Sequence, residues 1–201
     1  MNITVDGGKS KRLLLGGTYC EEDIVLTAVG GSSDTAREKA LVERTLTEYA
    51  NNELTELGNY ALYRYETLTS VYLPKLDRIR GSVFRACTSL INVYIPLVRY
   101  VYVNAFLECS ALQQIDLPSV TTINQYAFKD CSSLSVVIIR NTKAVCTLDN
   151  TNIFDGTPFA TGNGTLVVPS ALLDEYKQAT NWSVLHGYGN QFVELEGSEY
   201  E

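Results

Sequence analysis

The sequence of 201 residues lacks any uninterrupted apolar stretch of about 18 residues, which is what a membrane-spanning helix requires. It has one histidine, His186, so a metal site built on several histidines is excluded. We interpret His186 as a surface or capping residue close to Gly187 and Gly189. No glycine-rich loop followed by Lys-Ser or Lys-Thr is present, so a phosphate-binding loop is not expected either. These absences predict a protein that is not an enzyme and that has no catalytic residue, cofactor site or metal site.

Positive charge is also scarce. The 16 Lys and Arg residues are outnumbered by 23 Asp and Glu residues, and the formal net charge is -7. Proteins that bind nucleic acids need clustered basic side chains to neutralise phosphates, so no nucleic-acid partner is expected. One local group of arginines and tyrosines departs from this trend, and it is either a solvated flank or a patch for an anionic ligand. Its members are Arg78, Arg80, Arg85, Arg99, Tyr100 and Tyr102.

The start of the chain lacks the basic and then apolar layout of a secretory signal peptide. Either a leader precedes this sequence, or the protein reaches its location without the secretory pathway. Short apolar segments bounded by paired glycines predict a small β unit over residues 1–31. Within that unit, segment 17–25 resembles short β modules of bacteriophage structural proteins. A helix is predicted from Thr35, because Thr35 and Glu38 have the spacing of a capping box.

The strongest pattern in the sequence is a repeat of 22 residues over 59–145, with a degenerate copy that begins near Leu46. Leucine-type residues at fixed offsets in a repeat of this length are typical of a solenoid. Equivalent residues of successive coils should stack with their side chains parallel, whereas a disulfide needs two side chains that face each other. We therefore expect free, buried thiols at the repeated cysteine position, which is occupied by Cys87, Cys109 and Cys131.

The repeat reads Ala-Phe-x-x-Cys-x-x-Leu-x-x-Val-x-Leu-Pro in its ideal form, with copies that begin at Val83 and Ala127. This motif resembles the BspA-type leucine-rich repeat, a family of bacterial surface and phage-associated repeats. The resemblance implies an α/β, β-rich fold: a short leucine-rich-repeat solenoid of about four coils with degenerate end coils, a small N-terminal β unit and helical caps. We expect residues 1–31 to form the β module, 32–157 the helical cap and repeats, and 158–201 a C-terminal cap of strand, helix and strand with its tail.

The register slips beyond the fourth copy. Ile153-Phe154 has the character of the Ala-Phe pair, but it follows Ala127 by 26 residues instead of 22. Further along, Ser170 is predicted as the N-cap of a helix. The apolar face of that segment, Trp182 included, is expected to cover the final coil, and 192–195 is expected to add an edge strand.

Side chains that alternate with the inward positions of each predicted strand should project from one sheet face. Tyrosine offers a large contact area at low entropic cost, which favours a partner-binding surface. It is also a good strand former on a half-exposed sheet, and both interpretations stay open. The candidates are Ser70, Tyr72, Asn92, Tyr94, Gln114 and Asp116, and Val136 and Ile138 continue the two rows in the next coil.

Taken with the resemblance, these patterns predict a recognition or adhesion scaffold whose partner is a protein or a cell-surface glycan, without membrane insertion. The phage-like segment favours a phage or prophage virion protein of the tail, baseplate or receptor-binding type. Its expected location is the virion or the cell surface. A bacterial surface adhesin is one alternative, and a structural spacer or assembly subunit is the other. The N-terminal unit would be the contact in a homo-oligomer.

Overall fold

A computed structural model describes residues 2–5, 9–12 and 44–198 of the chain. The first two segments are strands β1 (Asn2–Val5) and β2 (Lys9–Arg12), which pair antiparallel. The β unit predicted over residues 1–31 includes these two strands, and the rest of it lies outside the described residues. The helix predicted from Thr35 and the phage-like segment 17–25 lie outside the described residues.

Residues 44–198 form successive coils, and each coil contributes one strand to one of two neighbouring parallel ladders, of three and four strands, which together we call the front sheet. Paired strands of the repeats are offset by one repeat, so that Tyr49 lies beside Val71 and Val71 beside Val93. Numbered along the chain, the strands of the front sheet are β3 (Glu48–Ala50), β4 (Ser70–Tyr72), β6 (Asn92–Tyr94), β8 (Gln114–Leu117), β10 (Val136–Ile139), β12 (Thr165–Val168) and β13 (Gln191–Glu194).

A second parallel ladder, the back sheet, receives a two-residue strand from each of four coils. Its strands are β5 (Arg78–Ile79), β7 (Tyr100–Val101), β9 (Thr122–Ile123) and β11 (Thr147–Leu148). Helical structure in the described part of the chain is short. It consists of 3₁₀ turns over Thr151–Phe154, Pro158–Thr161 and Ser170–Leu172, followed by helices α1 (Leu173–Gln178) and α2 (Trp182–Gly187). The prediction of a β-rich repeat fold is therefore confirmed.

The core consists of columns of equivalent side chains, and the phenylalanine column shows this most directly. Ring centroids are 5.2 Å apart between Phe84 and Phe106, and 5.3 Å apart between Phe106 and Phe128. The column continues to Phe154 with a spacing of 5.7 Å, although the sequence offset there is 26 residues. The four extra residues are thus accommodated before the 3₁₀ turn that carries Phe154, and the stacking of the core is kept.

The repeated cysteines form a second buried column, as predicted. Their Sγ–H groups donate to the carbonyl oxygens of Leu62, Phe84 and Phe106 at 3.1, 3.1 and 3.0 Å. All three thiols point the same way within their coils, and they are free, as is the buried Cys146. The side chains that form the column are Cys87, Cys109 and Cys131.

The turns of the coils contain a feature that the sequence pattern did not predict. Non-glycine residues adopt a left-handed backbone at two positions in successive coils. This conformation costs a non-glycine residue about 1–2 kcal/mol. At the second position the backbone N–H donates to a carbonyl of the next coil, as Glu108 does to Lys129 at 2.9 Å, which offsets part of that cost. The two sets are Tyr60, Ser82, Asn104 and Tyr126, and Arg64, Ala86, Glu108 and Asp130.

The C-terminal segment is attached to the repeats by buried hydrogen bonds. Trp182 is fully buried, and its Nε1–H donates to the Cys146 carbonyl at 2.6 Å. The hydroxyl of Tyr176 accepts a hydrogen bond from the Cys146 N–H at 2.9 Å. The predicted N-cap at Ser170 is wrong, because Ser170 begins a 3₁₀ turn and α1 starts at Leu173. Strand β13 lies at the edge of the front sheet, close to where an edge strand was expected.

Candidate functional site

The outward face of the front sheet presents two tyrosines side by side. Tyr72 and Tyr94 occupy paired positions on the parallel strands β4 and β6. Their ring centroids are 4.7 Å apart and their planes differ by 7°. Because in-register parallel pairing places equivalent residues at the spacing of the strands, the repeat itself brings the two rings into contact. Both remain open to solvent, at 44% and 50% exposure.

Polar side chains surround the tyrosine pair. Asn92 and Gln114 are exposed on β6 and β8, and Ser70 lies beside Asn92 in the register of the sheet. Asp116 points its Oδ2 atom at Nε of Arg140, 2.8 Å away, which fixes the carboxylate against the next coil. An ion pair exposed to this degree contributes only about 0.2–1 kcal/mol to stability. Its main effect here is to position Asp116 at the border of the tyrosine surface.

A groove of about 510 Å³ lies over β4, β6 and β8. Strands β6 and β8 are neighbours, but within the described residues no strand ladder joins them. The back-sheet strands β7 and β9 of the same coils are paired normally. Val93, which the pattern predicts to be buried like Val71, is only partly buried beside this interruption.

The structure brings all six predicted sheet-face residues together, because each of them lines the groove. Four further residues line the groove: Val71 and Val93, which were expected to point inward, and Ile91 and Gln113, which sequence reasoning missed. Ile91 and Gln113 occupy equivalent positions one repeat apart. Each directly precedes the first outward residue of its strand, which is Asn92 in β6 and Gln114 in β8. Extending that row by one residue would have identified them.

The outward rows do not stay open beyond β8. Ile138 was expected to project from the sheet, but it is only 4% exposed. It packs with Val167, which is completely buried, and with Leu195 in an apolar cluster separate from the main core. The open part of the outer face therefore ends at Asp116.

The arginine and tyrosine group lies on the other ladder, around strands β5 and β7. Arg78 donates to both carboxylate oxygens of Asp77 at 3.0 and 2.9 Å, and Arg99 approaches the same carboxylate at 3.4 Å. The hydrogen bond from Arg78 is the main cause that lowers the pKa of Asp77. Both guanidinium groups lie over the ring of Tyr100, at 5.9 and 5.8 Å, and Tyr102 packs at 6.4 Å from that ring.

The other two arginines of the group also contact carboxylates. Arg80 forms an ion pair with Glu56, and Arg85 lies 3.6 Å from Glu108. Acidic side chains of the protein thus balance most of the positive charge on this face. This arrangement favours the solvated flank over the patch for an anionic ligand.

Groups with catalytic potential are not assembled in the described part of the chain. His186 is exposed on α2, and its ring packs against Phe192 at 5.0 Å. Across residues 44–198, His, Cys, Asp and Glu side chains do not gather in groups of three or more that could hold a metal ion. None of the helices in this region has the length and apolar character that a membrane crossing requires.

The repeats match a known family. Six copies of the BspA type leucine-rich repeat region align with residues 45–157, which is more than half of the chain. The aligned region contains the stacked cysteine and phenylalanine columns. The chain belongs to the BspA-type leucine-rich repeat family.

Two solved structures resemble this BspA-type protein. A leucine-rich repeat protein from Bacteroides ovatus aligns with a TM-score of 0.53 and 23% identity, over 74% of this chain and 36% of that one. A leucine-rich repeat protein from T. pallidum aligns with a TM-score of 0.50 and 21% identity, over 60% of this chain and 58% of that one. The BspA-type chain thus spans less than two thirds of either, and at these identities the likeness shows the fold alone. A comparison with curated protein sequences gave no significant match.

Membership in the family carries a general expectation about activity. Leucine-rich repeat proteins are generally non-enzymatic scaffolds that mediate contacts between proteins, and BspA-type members are typically found at the surface or outside the cell. No catalytic family is indicated for this chain.

Proposed function

We propose that this BspA-type protein is a recognition scaffold of a phage or prophage virion, and that it contacts a protein or a glycan at the surface of a bacterial cell. The contact surface is the groove over β4, β6 and β8. The single observation that carries the proposal is the coincidence of the groove with the exposed, stacked pair Tyr72 and Tyr94.

The two tyrosines form a contact surface that is already ordered before binding. Each ring restricts its neighbour, so little side-chain freedom remains to be lost when a partner packs against them. Tyrosine combines a large apolar ring with a polar hydroxyl, and it is enriched among residues that dominate binding energy. The other surfaces described above are less suitable. The arginines of the back sheet already contact carboxylates, and the outer face beyond β8 is covered.

The test uses fluorescently labelled protein and intact cells from a panel of bacterial strains, measured by flow cytometry. We expect the protein to label a subset of strains. The double variant Tyr72→Ala with Tyr94→Ala should lose at least about tenfold in apparent affinity, which corresponds to about 1.4 kcal/mol of binding free energy. Tyr100→Ala with Tyr102→Ala is the matched control, because it removes two partly exposed tyrosines from the back of the repeats. Labelling that survives the first double variant, or labelling of no strain, would contradict the proposal.

A second proposal assigns attachment to residues 1–31. Strands β1 and β2 pair with each other in antiparallel fashion, unlike the parallel ladders of the repeats. We propose that this unit joins the protein to other copies or to a larger assembly. Deleting residues 1–31 should abolish assembly, measured by analytical ultracentrifugation, and leave cell labelling intact. Loss of both properties would favour a structural spacer.

A further inference from the structure

We infer that the groove takes a neutral oligosaccharide, with a sugar ring stacked on Tyr94 and sugar hydroxyls bonded to the side-chain amides of Asn92 and Gln114. This inference rests on the proposed function, and it replaces the broader class of protein or glycan with one ligand chemistry. Three properties of the groove support it: its size, the direction in which Tyr94 faces, and its charge.

The open surface has the dimensions of a small-ligand site. A volume of about 510 Å³ lies within the usual range of about 300–1,000 Å³ for such sites. The open strip is three strands wide, at about 4.8 Å per strand, and three residues long, at about 3.3 Å per residue. Its projected area is therefore roughly 150 Å². A stable protein–protein interface buries about 800 Å² on each partner. The side chains of Ile138 and Val167 are buried with Leu195, so they do not extend the open strip beyond β8. The groove therefore suits a chain of sugar rings better than a protein surface.

The second face of the Tyr94 ring is directed into the groove. The 4.7 Å between the rings of Tyr72 and Tyr94 equals the spacing of paired strands, so the stack runs across the sheet. One face of Tyr94 contacts Tyr72, and its opposite face is turned towards β8, on the side of the groove. The negative face of an aromatic ring attracts weakly positive C–H groups. A pyranose ring, which carries several C–H groups on one side, matches this surface.

The polar groups of the groove match hydroxyls. Primary amides both donate and accept hydrogen bonds, as sugar hydroxyls do, and Asn92 and Gln114 are exposed beside Tyr94. The carboxylate of Asp116 is already paired with Arg140. The lining residues include neither Lys nor Arg. A sialylated or sulfated sugar would thus bring negative charge to a site without a cation to receive it, which favours a neutral sugar.

The test is isothermal titration of the full chain with neutral cello-, chito-, manno- and xylo-oligosaccharides of six units, and with sialylated and sulfated oligosaccharides as the charged arm. We expect at least one neutral sugar to bind. Tyr94→Ala should weaken it at least about tenfold, whereas Tyr94→Phe should keep affinity within about twofold because the ring face is retained. Gln114→Ala should weaken it about threefold or more. Tyr188→Ala, which removes an exposed tyrosine on another part of the surface, is the control and should change nothing.

Three results would overturn the inference: no binding by any neutral sugar, binding that survives Tyr94→Ala, or a preference for the charged sugars. Thermal melts of each variant show whether it is folded. The outcome is separable from that of the proposed function by competition on cells. If a saturating neutral sugar fails to displace the protein from cells while the Tyr72 and Tyr94 double variant still loses labelling, the sugar assignment fails and the recognition surface stands. If the double variant labels cells normally, both fail.

Discussion

The two halves of the outer face of the front sheet are built on the same repeat, yet one is open and the other is covered. Tyr72 and Tyr94 are about half exposed, whereas Ile138 and Val167 at equivalent outward positions are buried. The inward positions of the two halves differ less: Val71, Ile115 and Val137 are buried, and Val93, beside the interruption between β6 and β8, is partly buried. The repeat therefore dictates the inward side chains, while the outward ones are free to differ. The side chains that give the protein its specificity are to be sought on the outward rows.

The largest expected difference between the halves is in stability. Ile138→Ala removes buried methyl groups and should lower the free energy of unfolding by about 2–5 kcal/mol. Tyr94→Ala removes an exposed ring, and it should lower that free energy mainly by the stacking with Tyr72, about 0.5–1.5 kcal/mol. Urea denaturation of both variants measures the contrast. Equal losses of unfolding free energy in the two variants would mean that the two halves do not differ in burial, so that the outer face is either covered along its whole length or open along its whole length.

The interiors of the two halves should lose stability alike at alkaline pH, because both contain buried thiols. Burial raises the pKa of the Cys87 thiol from 9.0 to about 12, and it also raises the pKa of Cys146. A pKa that is higher in the folded state means that the folded protein holds a proton which the unfolded chain releases. The stabilisation is complete below pH 9 and is lost as pH rises from there towards 12.

We therefore expect the melting temperature to fall with pH above about 9, where the unfolded thiols begin to ionise. Cys87→Ala, under the open half, and Cys146→Ala, under the covered half, should each make this fall shallower. Scanning fluorimetry across the alkaline range provides the measurement. A steeper fall, or an effect at only one of the two cysteines, would show that the interiors of the coils differ as well.

The columns of the core could be predicted from the sequence because equivalent residues in a repeat meet equivalent neighbours. That reasoning identified the stacked cysteines. It also recognised the Ile153-Phe154 pair despite its offset, because Phe154 still stacks on Phe128. The left-handed turn positions could not be predicted, since residues such as Ala86 and Glu108 carry no signal for that conformation.

The candidate site could be predicted only in part. Alternation along a strand determines which side chains leave the sheet, so Tyr72 and Tyr94 followed from spacing alone. The absence of a ladder between β6 and β8 has no such signal in the sequence. Pro96 follows β6 just as Pro74 follows β4, and β4 pairs normally with β6, so the proline does not mark the interruption. The burial of Ile138 depends on contacts with Val167 and Leu195, and no spacing rule connects these residues.

Glycine usage offers a smaller contrast between the halves. In the coil that leads into β12, the residue equivalent to Asp130 is Gly156, whose φ is 71°, while Glu108 holds the same left-handed position at φ 68° in an earlier coil. Gly156→Ala should destabilise by about 1–3 kcal/mol, since a Cβ there is strained and meets the side chain of Asp130.

The reverse change, Glu108→Gly, should stabilise by about 0.5–1 kcal/mol, because the relief of left-handed strain exceeds the added entropy of the unfolded chain. Lys129→Gly, at a residue outside the left-handed set, is the control and should destabilise by about 0.5–1 kcal/mol. Urea denaturation measures the three variants. Destabilisation by Glu108→Gly would mean that the Glu108 side chain contributes more to the free energy of unfolding than the left-handed backbone at this residue costs.

The smallest expected effect lies at the border between the halves, where Asp116 of β8 pairs with Arg140 after β10. Their side chains are 36% and 30% exposed, so the coupling should amount to about 0.2–1 kcal/mol and should weaken in high salt. A double-mutant cycle with Asp116→Ala and Arg140→Ala isolates the pair from other contacts of either residue. A measurable coupling at low salt makes the ion pair a link that holds Asp116 against the covered half. Zero coupling would assign Asp116 to the open half alone, with its carboxylate free to contact a ligand.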